Sequence, residues 1–325
     1  MKRVVVTDHS FEPLDVEEAI LAPLGCVIDS RQCRTVEDLI PVVSEADAVI
    51  TQFAPVNAEV IASMRRARVI VRYGIGVDNV DLDAARERGV PVCNVPDYCI
   101  DEVADQTLAF ILASTRQVVS NCLGVRRGEW KLAVPLASMR SLRDLTVGIV
   151  GCGRIGREVI RRLVPFKCRI VAFDPVVSPG EIVACGATPL DFDRLVADVD
   201  VVSLHCPSTS STRRMINRAV LHRMRPGVVL INVARGDLIE TEALIEALKS
   251  GRVAAAALDV CDPEPIPRDS PLLAMENVIV ASHIASASVK AVRRLRESAA
   301  EAVALSIRGE PLRNVVNGVS QTMIT

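Results

Sequence analysis

Three glycines near the middle of the chain have the spacing of a phosphate-binding turn. Gly151, Gly153 and Gly156 come directly after a short apolar run and open a segment with helical spacing. In such a strand–turn–helix unit the first glycine permits the tight turn, the second lets the backbone approach a pyrophosphate, and the third lets the helix pack on the strand. The backbone N–H groups around Arg154 and Ile155, at the start of the helix, would then face the phosphates.

An acidic residue ends the next predicted strand. Asp174 lies about 20 residues beyond the glycine turn, where a carboxylate accepts hydrogen bonds from the ribose hydroxyls of NAD. The same charge repels the 2′-phosphate of NADP, and the following residues, Pro175, Val176 and Val177, supply no cation to hold it. The segment therefore predicts a dinucleotide site that prefers NAD.

Three further polar residues follow predicted strands in the same half of the chain: Arg235, Glu264 and His283. A dinucleotide-binding module by itself defines no reaction, and catalytic groups are expected at the carboxyl ends of parallel strands. Each residue alone has an ordinary explanation, as a surface ion pair, a solvated loop acid or a strand-end histidine. Together with the glycine turn they indicate a catalytic site, in which a histidine is suited to proton transfer near neutral pH.

A fourth strand end, at His205, Cys206 and Pro207, has the character of a turn that lies against the cofactor. For His205 we favour a structural role over a catalytic one. Cys152, inside the glycine turn, and Cys206 could be redox-sensitive. Nothing beside them in sequence lowers the pKa of a thiol, so the inert interpretation is favoured.

The elements that position these residues form two series of short apolar runs that alternate with helical segments. Continuous apolar strands predict parallel sheets covered by helices on both faces. The first series comprises residues 3–8, 26–29, 48–51, 69–74 and 91–95, and the second comprises residues 146–151, 169–174, 199–205, 228–234, 255–260 and 278–282. One long helix is predicted from Asp101 to Val125. Another runs from Ala287 to Arg308, ends at Gly309 as a C-cap, and could return to the first sheet.

Composition excludes several classes of partner. The chain has 325 residues, enough for two domains, and 38 basic against 40 acidic residues give a net charge of −2. This balance and the few aromatic residues predict no nucleic-acid or membrane partner. Ten scattered cysteines, without a signal or membrane segment, predict a reducing, cytoplasmic location. We expect a small-molecule partner and no metal site.

The order of Arg235 in VARG, Glu264 in DPEP and His283 in SHIA after the glycine turn resembles the D-isomer-specific 2-hydroxyacid dehydrogenase family. The resemblance covers nearly the whole chain. It implies an α/β fold of two Rossmann-like, doubly wound parallel-sheet domains with the active site in the inter-domain cleft. Supporting segments are YGIGVDNVD at 73–81, PVCNVP at 91–96, LHCPST at 204–209 and ALDV at 257–260. The expected domains are residues 1–98 plus 287–325 for substrate binding and residues 99–286 for NAD binding.

The resemblance also implies a role for each residue. His283 exchanges a proton with the substrate oxygen, Glu264 orients the imidazole and favours its protonated form, and Arg235 holds the substrate. The backbone of Ile75 and Gly76 grips the substrate carboxylate. The wider cofactor set adds His205, Cys206, Pro207, Thr212, Val233, Ala234 and Asp259. The substrate set adds Arg72, which could equally be a partner for Asp78 or Asp81.

Two features of the sequence narrow this expectation. The loop from Thr51 to Asn57 lacks the arginine that usually meets the substrate phosphate in phosphoglycerate dehydrogenases, which argues against a phosphorylated substrate. The segment at 92–108 is similar to the branch that includes C-terminal-binding-protein corepressors. However, Ile284 stands where those proteins have a tryptophan after the active-site histidine, so a transcriptional role does not transfer.

Two functions of different classes therefore remain: an NAD-dependent D-2-hydroxyacid dehydrogenase, and an NAD(H)-sensing binding module that recruits partners through domain closure. The three catalytic residues are all present, which favours the enzyme. The family resemblance further implies a homodimer that packs through the helix from Asp101. Tyr98 and Trp130 could line the cleft or the dimer contact, or simply pack inside the fold.

Overall fold

The computed structural model describes residues 1–319 and divides the chain into two compact units. One unit comprises Met1–Tyr98 together with the segment that begins at Ser288, and the other comprises Cys99–Ala287. Each unit is built on a parallel β-sheet, which confirms the predicted α/β fold. Residues 320–325, which the sequence assigns to the first domain, lie outside the described part.

The strands and helices of the described residues are numbered in chain order. The strands are β1 Lys2–Val6, β2 Cys26–Ser30, β3 Ala48–Thr51, β4 Ile70–Arg72, β5 Val92–Cys93, β6 Thr146–Val150, β7 Arg169–Phe173, β8 Thr188–Pro189, β9 Val201–Leu204, β10 Val228–Asn232, β11 Val253–Leu258 and β12 Val278–Val280. The helices are α1 Asp15–Leu21, α2 Val36–Val43, α3 Ala58–Ser63, α4 Leu82–Glu87, α5 Ile100–Thr115, α6 Val118–Arg126, α7 Arg154–Leu163, α8 Pro179–Ala184, α9 Phe192–Asp198, α10 Arg218–Arg223, α11 Thr241–Lys249 and α12 Val289–Arg308.

The sheet of the first unit has the strand order β2-β1-β3-β4-β5, and that of the second has β12-β11-β10-β9-β6-β7-β8. Strands β3, β9 and β10 are buried along their whole length, as their continuous apolar sequences predict. In the second sheet the strand order reverses between β6 and β9, and the glycine turn follows β6. This reversal is the position at which open α/β sheets bind ligands.

The prediction of one continuous helix from Asp101 to Val125 is wrong. The structure contains two helices, α5 and α6, that meet at a bend of 62°. Gln117 lies at the break with a left-handed φ of 52°, and its side-chain amide donates to the carbonyl of Ser114 at 2.9 Å. No glycine or proline marks this position, so the sequence pattern continues through it. Among residues 1–319 no single helix is long and apolar enough to cross a membrane; only this bent pair, counted as one, has the length and composition.

The final helix, α12, belongs to the first unit. Ser288 caps its start by accepting the amide of Ala291 at 2.9 Å, and Gly309 ends it with a φ of 71°. Inside the unit, Arg296 of α12 forms hydrogen bonds with the fully buried Glu17, which also accepts the hydroxyl of Tyr73 at 2.8 Å. The last long segment of the chain thus completes the core of the first sheet.

Candidate active site

Two of the three glycines in the turn after β6 are required, because a side chain at either position would overlap neighbouring backbone. Gly151 has a φ of 99°, and a Cβ there would lie 2.7 Å from the carbonyl carbon of His205. A Cβ on Gly156 would overlap the carbonyl oxygen of Gly151. Gly153 differs, because it is exposed and no described atom lies within 4 Å of its Cβ position. The space above Gly153 is therefore open to a ligand.

The helix that follows the turn presents its N-terminus to this space. Gly153 is the N-cap of α7, and within residues 1–319 no side chain caps this end. The amides of Arg154, Ile155 and Gly156 lie in the first turn, where an α-helix supplies no acceptors of its own. A pyrophosphate fits such a site, since helix N-termini bind anions through these amides and the helix dipole. The binding roles of these residues remain predictions.

We expect Gly153→Ala to weaken NADH binding about tenfold or more while leaving the fold intact. The backbone of Gly153 has a φ of −67°, which alanine tolerates, but the new methyl group would enter the space expected for the pyrophosphate. Fluorescence titration with NADH and thermal unfolding measure the two effects. Gly180→Ala, another open position on α8, is the matched control. Unchanged NADH affinity in the Gly153 variant would place the dinucleotide elsewhere.

Asp174 follows β7 and is tied to the glycine turn through its carboxylate. Oδ2 accepts the amide of Cys152 at 2.7 Å, and Oδ1 accepts the amides of Val176 and Val177 at 2.8 and 3.0 Å. Partial burial opposes ionisation, but the three amides and the charge of Arg157 outweigh it, so the pKa of Asp174 is lowered. The carboxylate is thus held charged beside the turn, and each oxygen retains acceptor capacity for a ribose hydroxyl.

The turn after β9 packs against the glycine turn. The His205 amide donates to the carbonyl of Val150 at 2.7 Å, and its Nε2 bonds the hydroxyl of Ser203 at 2.8 Å. Burial lowers the pKa of His205 to about 3, so the ring is neutral. Thr212 closes the same turn, because its hydroxyl donates to the carbonyl of Pro207 at 2.7 Å. These contacts support a structural role for His205.

Burial also governs the two cysteines at this end of the sheet. It raises the pKa of the Cys206 thiol to about 11 and that of Cys152 to about 12. A thiolate is the reactive form of cysteine. The inert interpretation of both residues therefore agrees with their surroundings.

Arg235 is positioned by a residue that the sequence analysis missed. Asn232, the last residue of β10, is fully buried. Its side-chain amide donates to the carbonyl of Arg235 at 2.8 Å, and its Oδ1 accepts the amide of Ala234 at 3.0 Å. Asn232 thus holds the turn Val233–Ala234–Arg235 in shape. The sequence contained one signal for this role, an amide side chain at the end of an otherwise apolar strand.

The structure brings His283 and Glu264 together as expected. Nδ1 of His283 and Oε1 of Glu264 are 2.7 Å apart, with side chains 25% and 40% exposed. Partial burial raises the pKa of Glu264, but the hydrogen bond and charge of His283, the amide of Cys261 and the charge of Arg235 together lower it below its ordinary value. Glu264 is therefore ionised at neutral pH, and the charge of Arg235 acts on its carboxylate.

Asp259 has a second role that the sequence did not reveal. Its carboxylate accepts the amides of Ile284 and Ala285 at 2.9 and 3.0 Å, and its carbonyl accepts the amide of His283 at 2.8 Å. Asp259 is almost completely buried, whereas His283 has a left-handed φ of 56°, a conformation that costs energy for a non-glycine residue. One aspartate therefore holds the loop that presents the imidazole.

We expect Asp259→Asn to lower kcat more than it weakens NADH binding. Asparagine offers one acceptor oxygen, so one of the two buried amides of the His283 loop loses its partner, at a cost of about 1–3 kcal/mol in the free energy of unfolding. Thermal unfolding, kcat and NADH affinity measured on the same variant separate the two roles. A large loss of NADH affinity with normal kcat would favour the direct cofactor contact that the family resemblance implies.

In the first unit, Arg72 lies at the end of β4 next to the predicted substrate loop. Its guanidinium is 5.8 Å from the ring centre of Phe53, and a Cβ on Gly74 would overlap it. Only glycine at position 74 lets the arginine fold over the loop that continues into Ile75 and Gly76. The carbonyl of Ile75 accepts the side-chain amide of Asn94 at 2.6 Å, which anchors that loop.

One alternative partner of Arg72, Asp81, has another role. The carboxylate of Asp81 caps α4 by accepting the amide of Ala84 at 2.9 Å. This contact gives Asp81 a role in starting a helix. The substrate-binding roles of Arg72, Ile75 and Gly76 remain predictions.

Comparison with known proteins identifies relatives over most of the chain. The family model described as "D-isomer specific 2-hydroxyacid dehydrogenase, NAD binding domain" matches residues 108–285. A D-3-phosphoglycerate dehydrogenase of Archaeoglobus fulgidus is 36% identical over 94% of this chain and 58% of its own length. A glyoxylate reductase of Korarchaeum cryptofilum is 38% identical over 85% of this chain and 84% of its own length.

A solved structure shows the same architecture. D-lactate dehydrogenase from Aquifex aeolicus, complexed with NAD and lactic acid, superposes with a TM-score of 0.86 at 27% identity, covering 94% of this chain and 96% of that one. The chain spans little more than half the length of the D-3-phosphoglycerate dehydrogenase from Archaeoglobus fulgidus. The family match to an NAD binding domain confirms the predicted cofactor.

Proposed function

Because the chain belongs to the D-isomer-specific 2-hydroxyacid dehydrogenase family, we propose that it is an NAD-dependent oxidoreductase that interconverts a small D-2-hydroxy acid and its 2-oxo acid. The observation that carries the proposal is the 2.7 Å contact between His283 and Glu264. The charge of Arg235 acts on the same carboxylate, and the glycine turn lies in the same unit. A proton-transfer group, its orienting acid and an anion-binding cation are thus combined with a dinucleotide fold.

His283 carries the proton step. NAD, when bound, supplies the carbon centre that donates or accepts the hydride. Glu264 bonds Nδ1 of the imidazole, so the proton passes between Nε2 and the substrate oxygen. In reduction His283 protonates the ketone oxygen, and in oxidation it removes the hydroxyl proton, a contribution of about 10²–10⁴-fold. The Glu264 carboxylate fixes the orientation of the ring through this hydrogen bond.

Arg235 orients the substrate. Its guanidinium donates charge-assisted hydrogen bonds to the substrate carboxylate or 2-oxo oxygen, each worth about 1.5–3 kcal/mol. The Asn232 contacts hold the turn on which it sits. In this proposal Arg72 and the backbone of Ile75 and Gly76 also bind the substrate carboxylate.

The loop after β3 favours an unphosphorylated substrate. Residues 51–57 contain no Lys or Arg, and the ring of Phe53 is half exposed there. A phosphate would need cationic partners in addition to Arg72, which lies beside Phe53 and is assigned to the substrate carboxylate, whereas an apolar ring suits a short carbon side chain. The names of similar proteins include both classes, since glyoxylate reductase and D-lactate dehydrogenase are named for unphosphorylated substrates and D-3-phosphoglycerate dehydrogenase for a phosphorylated one.

A panel assay tests the proposal. NADH oxidation is followed by absorbance with glyoxylate, hydroxypyruvate, pyruvate, branched-chain 2-oxo acids and a phosphorylated 2-oxo acid. We expect NADH to be oxidised fastest with an unphosphorylated 2-oxo acid. Preference for the phosphorylated compound would contradict the assignment of the 51–57 loop. Tight NADH binding without any turnover would instead support an NAD(H) sensor.

We expect Asp174→Ala to reduce the preference for NADH over NADPH about tenfold or more. The variant loses a charge-assisted acceptor for the ribose hydroxyls, worth about 1.5–3 kcal/mol, and no longer repels the 2′-phosphate. The ratio of the two dissociation constants is the measurement. Because the pKa of Asp174 is lowered, its carboxylate stays ionised as the pH falls from 8 to about 5, so its contribution to NADH binding should stay constant over that range. An unchanged ratio in the variant would remove Asp174 from the cofactor site.

Homodimerisation and a cytoplasmic location are parts of the same proposal. Large apolar side chains are exposed along α6 and the segment after it, with Trp130 90% exposed. Exposed apolar patches of this kind mark contact surfaces. The exposed side chains are Val118, Leu123, Val125, Trp130, Leu132 and Leu136.

The proposed cytoplasmic location agrees with the state of the cysteines. The ten cysteines are all free, which suits a reducing compartment.

A further inference from the structure

A cavity of about 240 Å³ lies within the unit formed by Cys99–Ala287. Its walls are the start of α11, the end of β11 and the loop from Cys261 to Leu272. Among the described residues, neither the glycine turn nor His283 contributes to its lining. The cavity is therefore separate from the dinucleotide site and from the proton-transfer group.

The interior of this cavity is apolar. Leu244, Leu258 and Leu272 are buried in its wall, and Ile245 and Ile266 are partly buried there. An apolar cavity of about 150 Å³ is known to hold benzene. The present volume is thus suited to one ring with a short side chain, or to a branched aliphatic group of similar size.

The charged residues of the lining all have the same sign. Glu242, Asp262 and Asp269 contribute to it, and within residues 1–319 no Lys, Arg or His does. Such a rim repels carboxylates and attracts ammonium groups. The chemistry is the opposite of the Arg235 site, so a 2-oxo acid is not the expected occupant.

The wall of the cavity is continuous with the backbone that carries Glu264. A Cβ on Gly236 would overlap the carbonyl oxygen of Cys261, so the loop packs directly on the residue after Arg235. The hydroxyl of Thr241 donates to the carbonyl of Asp262 at 2.9 Å. Since Asp262 is two residues from Glu264, a ligand that presses on this wall acts on the loop that orients His283.

We propose that this cavity binds a small primary ammonium compound with a single ring or a branched aliphatic chain, and that its occupation restrains the loop from Cys261 to Leu272. The apolar wall binds the ring or branched chain of such a ligand, and the acidic rim binds its ammonium group. The inference does not rest on the proposed function, because neither the site nor its test requires turnover.

Isothermal titration calorimetry with three probes tests the ligand class. Phenethylamine, 2-phenylethanol and 3-phenylpropanoate share a ring and differ in charge. We expect saturable binding of the amine, binding of the alcohol weaker by about tenfold, which corresponds to about 1.4 kcal/mol, and none of the carboxylate. Hydrogen–deuterium exchange over residues 261–272 should slow when the amine is bound. Equal binding of amine and alcohol, or no saturation by the amine in the millimolar range, would overturn the proposal.

Two variants localise the binding. Ile245→Phe fills the cavity and should abolish binding of phenethylamine. Asp269→Asn removes one exposed rim charge and should weaken it several-fold. Asp198→Asn, an exposed acid of the same unit outside the lining, is the matched control. Wild-type affinity in both Ile245→Phe and Asp269→Asn would show that the amine binds elsewhere and would overturn the assignment.

Discussion

His283→Gln is expected to bind NADH with normal affinity and to lose turnover by at least about 10²-fold. Glutamine preserves a polar side chain of similar reach but cannot donate and recover a proton at neutral pH. The cofactor turn lies at Gly151–Gly156, so its geometry does not depend on the imidazole. The measurements are NADH titration by fluorescence and steady-state rates with the best 2-oxo acid of the panel.

The matched control for this variant is His222→Gln. His222 is an exposed histidine on α10 in the same unit. We expect its substitution to leave kcat within about twofold of the wild type, as for surface changes away from special sites. Near-normal turnover in His283→Gln would remove His283 from the mechanism, whereas loss of NADH binding would show that the substitution disturbs the cofactor site.

Arg235→Leu is expected to lower kcat/KM by at least about 10²-fold. Two charge-assisted hydrogen bonds to the substrate, each worth about 1.5–3 kcal/mol, are removed together with the charge that polarises the carbonyl. NADH affinity should stay within a few-fold of the wild type, because the predicted dinucleotide contacts come from the glycine turn and Asp174. Steady-state kinetics over a range of 2-oxo acid concentrations give the loss.

Arg235→Lys separates charge from geometry. Lysine retains a cation but not the planar fork that binds a carboxylate through two parallel bonds. We therefore expect activity between that of the wild type and that of the leucine variant. Wild-type kcat/KM in Arg235→Leu would remove Arg235 from substrate binding and leave Arg72 as the proposed cation.

The strands and the glycine turn were predictable because their signals are local. The run Ala48–Thr51 is a strand with the predicted bounds, and Gly309 ends the last helix as expected. The break at Gln117 was not predictable, since a left-handed glutamine has no composition signal. The two-residue strand β8 was missed for a related reason: a pairing of Thr188 and Pro189 at a sheet edge leaves no pattern.

The parts of the site that were missed depend on contacts distant in sequence. Asp259 was assigned to the cofactor from the resemblance alone, while its bonds to Ile284 and Ala285 join segments 25 residues apart or more. Asn232 stabilises the turn of Arg235 through its amide group, a role that residue type alone does not show. By contrast, Glu264 and His283 were paired correctly, because the resemblance supplied the long-range contact that periodicity lacks.

The return of α12 to the first unit has a consequence for the order in which the chain can fold. The first sheet is synthesised earliest, but Leu295 and Ala299 of its core and the cation that neutralises Glu17 come from the final helix. Domains emerge from the ribosome in sequence and fold as units. The contiguous Cys99–Ala287 unit can therefore fold while one face of the N-terminal sheet stays uncovered until its last helix is synthesised. During that interval the apolar face that α12 covers stays exposed and Glu17 lacks its guanidinium partner, so we expect the N-terminal sheet to be the more aggregation-prone part of the nascent chain.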